Sequence, residues 1–64
     1  MNESRIAELD RITVLIDKMA QVFGVNWWHA SRRAKDIELV SQQDLDDIAE
    51  LAKQERLARH LRDV

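Results

Sequence analysis

The chain has no cysteine, no proline and no tyrosine, a single glycine, and no apolar run longer than the three residues Val14 to Ile16. Each absence excludes something. Without cysteine there is neither a disulfide nor a thiolate metal site. Without a long apolar run, and with no basic and then apolar leader after Met1, neither a membrane span nor a signal peptide is expected, so the expected location is cytoplasmic. The absence of proline and near-absence of glycine remove the residues that interrupt helices. What remains is rich in Ala, Leu, Arg, Glu and Gln, all good helix formers.

Sixty-four residues make one domain at most, expected over 1–64 and all-α. A chain of this size buries only about 60% of the surface its unfolded form exposes. Tight helix packing, a partner, or a second copy must therefore support a small core, and self-association is expected. The net charge of −2 is not that of a nucleic-acid-coating or membrane-coating protein. That charge is segregated: residues 1 to 25 sum to −1, 26 to 35 to +3, 36 to 50 to −6 and 51 to 64 to +2.

The few helix-ending signals place three helices near residues 4–23, 27–38 and 42–62. Gly24 suits the left-handed position after a helix C-terminus, and Asn26 and Ser41 suit N-caps. Asp44, three residues after Ser41, completes a capping-box arrangement, and Val40 and Leu45 stand where a hydrophobic staple pairs them. In the first helix Leu9, Ile12, Ile16, Met19 and Phe23 follow steps of three and four, the spacing of a seam against another helix. Leu15, Ala20 and Val22 widen it. These residues are the expected oligomer interface, giving a helical homodimer of three-helix units.

The second helix should bury Trp27, Ala30, Ser31, Ala34 and Ile37 and present His29, Arg32, Arg33 and Asp36 on the opposite side. Adjacent helical residues point 100° apart, so Trp27 and Trp28 cannot both enter one small core. Trp28 is the one expected at the surface, on an edge with Arg32 and Lys35. In the third helix Leu45, Ile48, Ala49 and Ala52 share one face, whereas Leu57, Ala58 and Leu61 point roughly the other way. Residues 56–64 are therefore expected to meet a second chain or to fray.

No catalytic constellation is present, so an enzyme is not expected. There is no cysteine nucleophile, Ser31 is poorly aligned with His29, and no glycine-rich elbow exists to form an oxyanion hole. His29 and His60 lack partners at metal-ligand spacing, and the acids Asp46, Asp47 and Glu50 suit the start of a helix for electrostatic reasons alone. Neither metal, cofactor nor small-molecule substrate is expected, and a first helix with four acids against three bases does not suit a membrane surface. An exposed tryptophan beside arginines is the composition of protein-interface hot spots. The expected function is thus a protein-interaction or regulatory module that binds a larger protein partner through Trp28, Arg32, Arg33 and Lys35.

Residues 16–35, IDKMAQVFGVNWWHASRRAK, also resemble a helix-turn-helix segment. Met19, Ala20, Phe23, Gly24, Val25 and Ala30 fall where that pattern has apolar, Ala, apolar, Gly, apolar and apolar residues; Arg33 departs from it, standing at an apolar position. The resemblance implies a dimeric DNA-binding regulator with nucleic acid as partner. Its second helix would then enter the major groove with Asn26, Trp28 and Arg32 at base edges and Arg33 or Lys35 near phosphate.

Overall fold

The computed structural model describes residues 2–62. They form three helices and, among the described residues, no strand: α1 Glu3–Phe23, α2 Trp27–Asp36 and α3 Gln42–Arg62. Every break has a local cause. Asn2 caps α1, its Oδ1 accepting from the Arg5 amide at 2.8 Å. Gly24, at φ 64°, ends that helix in the left-handed region, and the Val25 amide donates back to the Ala20 carbonyl. Asn26 opens α2 by accepting from the His29 amide at 2.9 Å. The expected capping box forms in full before α3: Asp44 N–H donates to Ser41 Oγ at 3.1 Å, and Ser41 N–H donates to Asp44 Oδ2 at 3.0 Å.

One boundary differs from expectation. The second helix stops at Asp36 rather than near 38, because Glu38 takes a positive φ of 61°. The Leu39 amide then reaches the Ala34 carbonyl and the Glu38 amide the Lys35 carbonyl, the bond pair of a Schellman ending normally built on glycine. Ile37 is consequently thrown off the buried face assigned to it and is 58% exposed, while the chain turns in time to bury Val40.

The main apolar cluster joins Ile16 of α1, Ala30 and Ala34 of α2, and Val40, with Ile12, Met19, Ala20, Trp27 and Leu45 packed around it. The two alanines let α2 lie close along the second half of α1. Leu9 is buried separately, where the first half of α1 meets Ile48, Leu51 and Ala52 of α3. Among the described residues five apolar side chains are buried, which leaves the domain only marginal support from its core.

An ionic clamp ties the start of α3 to the start of α1. Arg5 Nη2 donates to Asp44 Oδ1 at 2.7 Å and to Asp47 Oδ2 at 2.8 Å, and its Nη1 reaches Glu8 at 3.1 Å. Beyond Ala52 the third helix leaves the body: every residue from Lys53 to Arg62 is exposed. The molecule is accordingly long, 40 × 25 × 15 Å, with a radius of gyration of 13.0 Å against about 11 Å for a compact chain of this length. Among the described residues, no helix is long and apolar enough to cross a membrane.

Candidate interaction surface on the second helix

The α2 face turned away from the core is built by helix geometry around two fixed points. Ala30 and Ala34 are buried in the cluster with Ile16 of α1, and Ser31, also buried, satisfies its hydroxyl by donating to the Trp28 carbonyl at 2.7 Å. With that stripe inward, Trp27 packs onto the core cluster and Trp28, one residue on, must point out. It is 58% exposed.

Trp28 is not left bare. The Arg32 guanidinium lies over its ring with Cζ 5.1 Å from the centroid, and His29 meets it edge-on, also at 5.1 Å. A second pair repeats this arrangement nearby. Arg33 sits over the Phe23 ring at 4.8 Å, and Phe23 is 49% exposed. Trp28, Arg32 and Arg33 line a shallow recess together with Val25, His29 and Asp36. Neither Arg32 nor Arg33 forms an ion pair among the described residues. The surface therefore offers two flat aromatic rings and two cations that have given up part of their hydration to ring faces but still lack anionic partners.

No protein family, curated protein or solved structure matches the chain. What this surface does is therefore argued from its own chemistry.

Of the four expected partner-binding residues, Trp28, Arg32 and Arg33 come together on this face. Lys35 does not join them freely: its Nζ donates to Gln42 Oε1 at 2.8 Å, linking α2 to the first turn of α3. Two residues that the sequence pattern left out belong here. Phe23 was expected in the α1 seam, but it lies outside the core, half-exposed, with the Arg33 guanidinium of α2 over its ring. Val25 is in the turn itself, where periodicity carries no signal.

The expected oligomer seam is divided by the fold. Leu9 and Ile16 are 1% and 0% exposed within a single chain, and Ile12 and Met19 pack onto the same core, so these side chains face the protein's own α2 and α3. What α1 leaves outside is Val14, Leu15, Val22 and Phe23. The helix-turn-helix positions are divided too. Ala30 is buried and Met19 and Ala20 partly so, while Phe23, Val25 and Arg33 lie exposed where that motif packs its core, and the Asn26 carbonyl oxygen is engaged as a helix cap.

Proposed function

We propose that the chain is a non-catalytic interaction module, working as a homodimer, that docks on a larger protein through the Trp28–Arg32 face of α2. The carrying observation is the pair of arginine-capped aromatic rings, Trp28 with Arg32 and Phe23 with Arg33, exposed beside a recess lined by Trp28, Arg32 and Arg33, with neither arginine in an ion pair among the described residues. Tryptophan and arginine are the residues whose truncation costs most at protein interfaces, since a large rigid ring gains contact area at little entropic cost and a guanidinium pairs two ways with a carboxylate. The complementary partner is an acidic segment with an apolar side chain to fill the recess.

The test is capture of partners from native extract by the wild-type chain and by a Trp28→Ala/Arg32→Ala variant, each with and without nuclease. Both side chains are exposed, so the variant keeps its fold. A hot-spot pair costs at least about 2 kcal/mol, so the expected result is a more than tenfold loss of a protein partner, indifferent to nuclease. Retention of every partner by the double variant overturns the proposal. Capture abolished by nuclease and by added salt replaces it with the DNA-binding reading.

A further inference from the structure

Away from the outward face of α2, an apolar recess opens where the three helices meet. Thr13 of α1, Trp27 of α2, and Leu45, Ile48, Ala49 and Ala52 of α3 line a volume of about 280 Å³. Its walls hold no polar group in search of a partner. The Thr13 hydroxyl already donates to the Leu9 carbonyl at 2.9 Å, and among the described residues no buried side-chain nitrogen or oxygen lacks a hydrogen bond. An extended peptide laid here would bring its own amides against apolar walls with nothing to pair them, which is costly. A hydrocarbon chain has no such groups to satisfy.

Charge gives the recess a direction. On one side Ala49 is shared with a neighbouring recess of about 500 Å³, lined also by Lys53, Arg56 and Leu57. At about 100° per residue, Lys53 and Arg56 point within about 40° of Ala49, roughly one and two turns further along α3. Neither cation forms an ion pair among the described residues. On the other side Thr13, Ile48 and Ala52 are shared with a recess that carries Asp10 and Glu55. Asp46 and Glu50, the acids on the exposed flank of α3, line none of the three. The apolar recess therefore has one basic neighbour and one acidic one.

We propose that the apolar recess holds the hydrocarbon chain of a free alkyl carboxylate, a fatty-acid-like anion, with its carboxylate on Lys53 and Arg56. The walls suit the chain, the unpaired cations suit the head, and Asp10 with Glu55 repel the reverse orientation. A guanidinium pairs two ways with a carboxylate, which favours this head group. Joined through Ala49, the two recesses come within the range of ligand sites, about 300–1,000 Å³. The site does not rest on the α2 face. No local pattern announces it, because its walls come from three different helices.

The test uses the full chain carrying Trp28→Phe, which leaves Trp27 as the one tryptophan and alters an exposed ring. Titration with hexanoate, octanoate and decanoate is expected to shift Trp27 emission to shorter wavelength and to saturate. Affinity should rise by up to about fourfold for each added methylene. Decanol and decylammonium, which remove and reverse the charge, should bind more weakly than decanoate. Lys53→Glu with Arg56→Glu, both at exposed positions, should weaken decanoate by up to about fivefold for each cation lost and make decylammonium the better ligand. Ala49→Phe, also at an exposed position, should fill the recess and abolish the response while the helical circular dichroism is retained. An emission unmoved by decanoate up to millimolar concentration, equal binding of decanoate and decylammonium, or binding indifferent to Ala49→Phe overturns the proposal. Binding to vesicles of an anionic phospholipid without binding of free decanoate overturns it in favour of a membrane surface. A response to a glutamate-rich amphipathic peptide in place of decanoate makes the recess a seat for a protein helix instead. The α2 face is read separately, by capture of the larger partner, and its failure leaves this titration unchanged.

Discussion

Glu38 and Gly24 occupy the same backbone region, at φ 61° and 64°, and end α2 and α1 with the same kind of turn. The left-handed region costs a residue with a Cβ about 1–2 kcal/mol, and glycine nothing. The chain thus carries strain at one helix end and none at the other. Glu38→Gly is expected to raise stability by up to about 1 kcal/mol, less than the full strain because glycine also loosens the unfolded chain. Gly24→Ala should lower it by about 1 kcal/mol; a Cβ there meets no atom within 4 Å, so backbone strain is the whole penalty. Thermal midpoints check both, with about 4–8 °C expected per kcal/mol in a domain of this size. If both substitutions shift the midpoint in the same direction, the difference between the two turns has been misjudged.

Among the elements, α3 is the most loosely held, and its attachment depends on charge. Asp47 is held below the ordinary aspartate value of 3.8 by the hydrogen bond from Arg5 and then by Gln43. Asp44 is lowered first by the Ser41 amide and then by Arg5. An acid with a depressed native pKa adds stability above its unfolded value, and that stability is lost as pH falls through the native value. The thermal midpoint should therefore hold level down to about pH 5 and fall below about pH 4. Arg5→Ala should lower the neutral-pH midpoint and make the acid fall shallower without abolishing it, since Asp44 keeps its bond to the Ser41 amide. An acid-side slope equal to that of the wild type would show that the clamp contributes nothing to holding α3. The capping box at Ser41 was legible because its two partners are three residues apart. The clamp was not, since Arg5 and Asp47 lie 42 residues apart and no local pattern joins them.

For the whole molecule, the small core sets how much change the fold tolerates. A domain of this length has about 3–10 kcal/mol of stability in total, and truncating a fully buried Ile to Ala costs about 2–5. Ile16→Ala is thus expected to remove most of the cooperative thermal transition measured by circular dichroism, since Ile16 is the largest side chain of the main cluster with no exposure at all. A variant still melting within a few degrees of the wild type would mean that the cluster around Ile16 is not what holds the helices together.

The helical class, the number of helices, the Gly24, Asn26 and Ser41 breaks and the outward turn of Trp28 were all determined by the sequence alone. They rest on interactions within about one helical turn, where 3.6-residue geometry and capping chemistry decide the outcome. The tertiary structure alone decided that Leu9 and Ile16 face the chain's own helices rather than an outer surface. It alone set Phe23 beside Arg33, whereas an exposed end of α3 already followed from the apolar stripe that changes face along that helix. A periodic apolar stripe states that a face is covered, but the covering surface comes from residues distant in the chain. Trp28 shows the division well. Its exposure follows from its neighbour Trp27, whereas its place in a surface with two arginine-capped rings needed the fold to bring the last turn of α1 against α2.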